Sequence, residues 1–527
     1  MTFPFKTLLT AGSLIALMAS GALAETVLNR GNNGDPETLD PHKNSTIPEA
    51  NLMRDLFMGL TMHDGAANLI PGAAASWSVS ADGKVWTFKL REGALWSDGT
   101  PVTAEDFVWS WQRVVSPDTA AEYAYMLAPV LNAEAITKGE KPAADLGVRA
   151  LDATTLEVTL KAPTPYFLEM LTHQATYPVE RANVEKYGAD FTKPGNLVSN
   201  GAYTLDSFTP NDHISLVKNP KFYDAAHVAY DRVNFYPTED ATAAVRRFEA
   251  GELDMTLDFP AQQTAALQAA LGDEVKVGPT LATYYYGFKL DKAPWSDLEI
   301  RKAISMAIDR DYLAEEIWQN TMIPAYTLVP PGIAGYEVAA PDWAGLSQID
   351  REDQARAILE KHGYTEANPL HMEIRFNTNE NNANTAVALQ ELLKPMGIAV
   401  TMVNLDISAH YAHLEQKGDF DVARAAWFAD YKDPENFLSL CTTGAGNNYS
   451  LYSNAEYDAL MQQAAVEPDA AKRMAALAKA EEKGVIEDQC VMSLMFYSYR
   501  GLVSDKLAGW QANSLDVHPS RFLAPAH

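Results

Sequence analysis

Short runs in which apolar and polar residues alternate punctuate the chain, and between them apolar residues recur every three or four positions. Alternation predicts strands over Thr26 to Asn32, Lys84 to Leu90 (KVWTFKL), Thr155 to Lys161 (TLEVTLK), Tyr203 to Leu205, His213 to Val217 and Val233 to Tyr236. In KVWTFKL the pattern leaves open whether the Val85 or the Trp86 face is buried. Helical spacing links Leu52, Leu56 and Leu60 after Pro48, residues within Ala241 to Ala250, and Ile300, Ile304 and Ile308 along Asp297 to Leu313. Phe107, Trp111 and Val114 form another helical face behind Thr103 and Asp106, an acidic variant of a capping box. Pro163 and Pro165 stop one strand, Asp98-Gly99 and Leu39-Asp40-Pro41-His42 are turns, and Gly201 in Ser199-Asn200-Gly201-Ala202-Tyr203 suits a turn with positive φ.

Further along, Met372, Ile374 and Phe376 alternate, a helix runs from Ala383 to Lys394, and Ile398, Val400 and Met402 alternate again. Two parallel strands need such a crossover. Strands interleaved with helices over the whole length predict α/β architecture in more than one lobe. The stretch Phe420 to Phe437 (FDVARAAWFADYKDPENF) stands out, because Arg424 and Asp430 are an even number of residues apart. In extended chain they share a face about 20 Å apart, at roughly 3.3 Å per residue. Such a pair fits the two ends of a short zwitterion. A buried strand whose charges are met elsewhere fits equally.

A chain of 527 residues, 47% hydrophobic with ten Trp, is long enough for several cores. Residues 1 to 24 read as an export signal: Lys6, the apolar run Leu8 to Met18, and the small-residue site Ala22-Leu23-Ala24. No stretch is long enough for a membrane span, and no Cys at the cleavage region offers a lipid anchor, so a soluble mature protein is expected. Removal of Lys6 takes the net charge from −28 to −29. So acidic a surface repels phosphate backbones and argues against nucleic-acid binding. Cys441 and Cys490 are candidates for a disulfide in an oxidising compartment, but spacing alone does not show that they meet.

Catalytic patterns are missing: the sequence has no Gly-x-Ser-x-Gly elbow, no Walker Gly-Lys pair and no His-Glu-x-x-His helix. His410 and His413 share a helical face, which raises a metal site against the plainer reading of exposed polar residues. No enzyme, no metal and no cofactor are expected.

Several stretches together resemble the solute-binding proteins of ABC importers. They are Leu39-Asp40-Pro41-His42, Leu69-Ile70-Pro71-Gly72, the run from Trp96 to Phe107, Ser199 to Tyr203, Asn219-Pro220 and Arg301-Lys302-Ala303-Ile304. Asp421-Val422-Ala423-Arg424 and Trp427 with Ala429-Asp430-Tyr431 resemble the periplasmic oligopeptide-binding branch of that peptide and nickel family. The resemblance implies a three-lobed periplasmic-binding-protein fold, with two α/β lobes closing on a hinge and an extra α+β lobe. Lobe I would comprise 25 to 57, 187 to 281 and 498 to 527, lobe II 58 to 186, and lobe III 282 to 497. It implies a periplasmic receptor that binds extended short peptides and passes them to a membrane permease, and a monomer is expected.

By the same resemblance, Asp430 would hold the peptide ammonium and Arg424 would meet the carboxyl end. Backbone partners would lie at Ser45, Thr46 and Ile47 on one side and at Ala426, Trp427 and Phe428 on the other. Tyr125, Tyr285, Asn377, Asn447 and Tyr497 match further ligand-contacting positions, with core or cleft-wall roles as the alternative for each, and for Trp427. The chain departs from the family where Ala282 and Phe428 replace a cysteine pair, Glu415-Gln416 an Arg-His pair, Asn382 a His and Ser408 a Trp. Fewer cations near the carboxyl end bring in a same-fold rival, a receptor for another cationic or amine-bearing solute. An exported hydrolase and a holdase for unfolded chains are the rivals of other classes.

Overall fold

The computed structural model describes residues 25–526, so the leader read over residues 1 to 24 lies outside them. The side chains of residues 380, 407 and 408, including Ser408, are likewise not described. Three principal sheets carry the molecule. The first runs Val27–Gly31, Arg232–Tyr236, His213–Lys218 and Tyr203–Thr209, with the first pair parallel and the others antiparallel. The second is an antiparallel sheet of Ala74–Val79, Val85–Leu90, Thr155–Thr159 and Val148–Asp152. The third has six strands in the order Met322–Pro324, Met492–Leu502, Val275–Phe288, Val422–Phe428, Leu370–Asn377 and Ile398–Leu405.

One continuous core joins the first two sheets, and two further cores flank the third. In the second sheet the alternation resolves to the Trp86, Phe88 and Leu90 face, which is buried. Against it packs the helix Ala104–Val115, whose Phe107, Trp111 and Val114 are fully enclosed. The helix starts where Thr103 accepts from the Asp106 amide and the Asp106 carboxylate accepts the Thr103 N–H at 2.7 Å. Its last turn presents Arg113 to Asp40, at 3.0 and 2.6 Å, which pins the Leu39 to His42 turn. At Gly201 the structural need is close approach rather than positive φ: a Cβ there would collide with the Asp55 and Leu56 carbonyls.

The parallel crossover is present. Leu370–Asn377 and Ile398–Leu405 pair in parallel register from Leu370↔Ile398 to Asn377↔Leu405. The intervening helix, Glu380–Leu393, begins three residues before the expected Ala383, because the Asn379 side chain caps the Asn381 and Asn382 amides. Two helix expectations need correcting. Leu60 lies beyond the helix Ile47–Leu56, and the helix expected over Asp297 to Leu313 ends at Ala307. Ile308 is extended there, and Asp309 caps a new turn at Arg310–Tyr312 through the Tyr312 amide.

Two long antiparallel strands, Val275–Phe288 and Met492–Leu502, are neighbours in the third sheet and extend to the segment at Thr256, whose N–H donates to the Leu502 carbonyl at 2.9 Å. Their register breaks between Pro279 and Thr283, opposite Ser498 and Phe496. At the break Leu281 turns its N–H to the Ser514 carbonyl at 2.7 Å. Cys441 and Cys490 form a disulfide, with Cα atoms 6.0 Å apart, that ties the segment just after Phe437 to the start of Met492–Leu502. Among the described residues no helix is long and apolar enough to cross a membrane.

Candidate ligand-binding cleft

The strand Val422–Phe428 is the structural centre of the site. Ala429 N–H donates to the Leu281 carbonyl and Lys289 N–H to the Asp421 carbonyl, so odd-numbered residues between them exchange bonds with Val275–Phe288. The even-numbered backbone groups therefore face the opposite edge. That edge is paired with Leu370–Asn377 only at Ile374↔Val422 and Arg375↔Ala423. His410 then takes the Arg424 carbonyl at 2.8 Å, which leaves the N–H and C=O of Ala426 and Phe428 without a protein partner among the described residues. A strand edge left open inside a protein is a template for an added strand.

Beside this edge lies a cavity of about 670 Å³. Nine of the residues expected from sequence line it: Ser45, Thr46, Ile47, Tyr125, Trp427, Phe428, Asp430, Asn447 and Tyr497. Ile47, Tyr125 and Phe428 are large apolar side chains left exposed, at 60%, 44% and 50%. On the Ile47 side the backbone rail is narrower than expected. Glu49, itself buried, accepts the Ser45 and Thr46 N–H groups at 2.9 and 3.1 Å, and the Thr46 carbonyl takes the Ala50 N–H. The Ser45 carbonyl and the Ile47 N–H, one of the donors a helix start leaves over, remain.

Asp430 sits where the strand has ended. Its Oδ2 accepts from the Tyr125 hydroxyl at 2.9 Å across the cavity, and Asn436 holds it from behind. Asn436 Oδ1 accepts both the Asp430 N–H at 3.1 Å and the Trp427 indole N–H at 2.9 Å, so one amide fixes both residues. Sequence reading missed Asn436; its place six residues on, just past the Asp433-Pro434 turn, was the available signal. Burial pushes the Asp430 carboxyl up to about 6, against the opposing pull of the Tyr125 and Asn436 hydrogen bonds. No lysine or arginine pairs with it among the described residues. On the Tyr123 side, His173 stacks on that ring at 4.5 Å between centroids, and burial together with nearby Arg54 pushes the imidazole down to about 3.

Four expected residues do not line this cavity. Ala426 contributes its backbone edge only. Tyr285, 2% exposed, is packed in the core, which is the alternative reading for that position. Arg424 is buried: it donates to Asn377 Oδ1 at 2.8 Å and to the Tyr497 hydroxyl at 2.6 Å, and lies 4.7 Å from the Tyr284 ring centre. Asn377, braced by Asn382, thus serves Arg424. Because the strand stops at Phe428, Arg424 and Asp430 do not share one open face, and the simple ruler for a zwitterion is lost. His410 is fully buried rather than exposed, and His413 bonds the Asp419 carbonyl. No cluster of three or more metal-ligating side chains occurs among the described residues.

The model described as "Bacterial extracellular solute-binding proteins, family 5 Middle" matches residues 68–449. The chain belongs to that family. This solute-binding protein is 38% identical to the periplasmic oligopeptide-binding protein OppA of Escherichia coli over 521 residues, covering 96% of this chain and 95% of the relative. Two solved structures share its multi-lobed α/β fold. The murein tripeptide binding protein MppA of Escherichia coli superposes with a TM-score of 0.83 at 35% identity, covering 96% of this chain and 99% of that one. OppA of Haemophilus influenzae in complex with RPPGFSPFR superposes with a TM-score of 0.81 at 35% identity, covering 96% and 99%.

Proposed function

We propose that this solute-binding protein is a periplasmic receptor that captures short peptides with a free amino end and delivers them to the permease of an ABC importer. The observation that carries the reading is the open backbone edge of Ala426 and Phe428 leading to the Asp430 carboxylate, which has no cationic partner in the described chain. A peptide backbone would complete the edge and its ammonium would occupy Asp430. Relatives named for oligopeptide and murein tripeptide binding agree with that chemistry.

The lobe limits at 281/282 and 497/498 fall at the register break between the two long strands, which supports that break as the hinge on which the lobes close. Arg424 serves as an anion site only through Tyr497 or after that hydroxyl moves, so the carboxyl end is the less fixed end of the ligand. Asp430 alone would also hold a non-peptide amine; the open strand edge is what favours a peptide. Mass spectrometry of small molecules released by denaturing the purified protein is expected to give masses that fragment as short peptides. A single non-peptide amine would instead establish the rival.

A further inference from the structure

The cavity is far more acidic than its proposed anchor requires. Besides Asp430 it is lined by Glu122, Glu415 and Asp516, and Arg54 is the one lysine or arginine among its lining residues. Arg54 is already engaged: with the Gln174 amide turned so that its oxygen faces the guanidinium, Gln174 accepts at 2.9 and 3.0 Å. His173, held neutral by burial beside Arg54, adds no second cation. Among the described residues Glu122 and Glu415 form no ion pair, and Asp516 meets only His518, at 3.0 Å. The three carboxylates come from separate parts of the chain: beside Tyr123, at the C-terminal end of the helix Ile407–Glu415, and in the segment after Ser514. That helix end adds its own negative partial charge next to Glu415.

A second feature marks the same cavity as built for a ligand. Asn44, 3% exposed, lines it with an Nδ2 that has no hydrogen-bond partner. A buried amide donor left open is costly unless an acceptor arrives, such as a ligand carbonyl. Aromatic faces complete the walls at Tyr123, Tyr449 and Tyr499, and π faces attract cations. A low-dielectric cleft lined by one sign of charge concentrates ligands of the other.

We propose that Glu122, Glu415 and Asp516 set the side-chain preference of this cleft, selecting peptides that carry lysine or arginine and rejecting acidic ones. The inference rests on the peptide reading above, with Asp430 taking the ammonium of any peptide and these three taking side-chain cations.

Calorimetry with Ala-Ala-Ala, Ala-Lys-Lys and Ala-Glu-Glu, all with free amines, tests it. Ala-Lys-Lys is expected to bind at least about tenfold more tightly than Ala-Glu-Glu at low salt, the lower end of what a focusing cleft gives. The ratio should shrink as added salt screens the field. Each of Glu122→Gln, Glu415→Gln and Asp516→Asn should narrow it, and the triple variant should narrow it furthest; the single variants serve if the triple does not fold. Equal or inverted affinities in the unaltered protein, with Ala-Ala-Ala still bound, would sink this inference and leave the peptide reading standing. A ratio unmoved by every substitution would also overturn it. Failure of all three peptides to bind would overturn both.

Discussion

Asp430→Asn is expected to weaken binding of a free-amine peptide by about 3 kcal/mol or more, two decades in Kd, while leaving the ligand-free protein as stable as before. The loss is large because a closed cleft would leave the ammonium desolvated with no counter-charge, and breaking a buried pair costs about 3 to 5 kcal/mol. Asp430 is half-buried rather than fully enclosed, which favours the lower end. Stability should not suffer, because the amide keeps an oxygen for the Tyr125 hydroxyl. The sign of the proton linkage agrees. Burial raises the folded carboxyl to about 6, so its contribution to stability is greatest below the ordinary carboxylate range and is lost as pH rises through 6. At neutral pH the ionised carboxylate is a cost that Asn removes.

The same shift predicts a pH profile for affinity. Below about pH 6 the ammonium must compete with a proton on Asp430, so binding weakens as pH falls. Above about pH 8 the peptide amine itself loses its proton, and binding weakens again. Calorimetry from pH 5 to 9 should show the acid limb in the unaltered protein and its disappearance in Asp430→Asn. An acid limb of equal steepness in the variant would assign it to another group.

Asp433→Ala is expected to destabilise the folded protein by about 3 to 5 kcal/mol, the cost of stranding a buried charge. Arg473 holds both Asp433 oxygens at 2.7 Å, and both residues are almost fully buried. The guanidinium lies 5.0 Å from the Tyr166 ring centre, and Tyr166 stacks on Tyr431 at 5.3 Å, next to the Asp430 turn. Replacing both partners, Asp433→Leu with Arg473→Met, should cost much less, since it leaves no charge unpaired. Urea unfolding followed by circular dichroism checks both variants. Equal losses for the single and the double variant would show that packing, not the stranded charge, dominates.

Local signals proved the most legible in the sequence. The Thr103 to Asp106 cap is settled within four residues, and the crossover from Leu370 to Leu405 is announced by two alternating runs around a helical one. The family resemblance added nine of the cavity-lining residues, including Asp430 and Tyr125, which are 305 positions apart. What escaped depended on long-range competition for hydrogen bonds. Nothing local tells that Glu49 consumes the Ser45 and Thr46 amides, that His410 is buried against the Arg424 carbonyl, or that Asn377 and Tyr497 enclose Arg424. The acidity of the cavity was legible only in part: the resemblance set Asp430 and Glu415 apart, but nothing in a chain with 69 acidic residues joins Glu122 and Asp516, from distant stretches, to them.

A peptide held by its backbone on the open strand edge and by its ammonium at Asp430 must lose the second contact when its amine is acetylated. Calorimetry of the unaltered protein with one tripeptide and its N-acetylated copy tests it most directly, since acetylation removes the charge and keeps the backbone. The free-amine peptide should bind at least about a hundredfold more tightly than the acetylated one, the same two decades that loss of Asp430 removes. Equal affinities for the two would contradict the account.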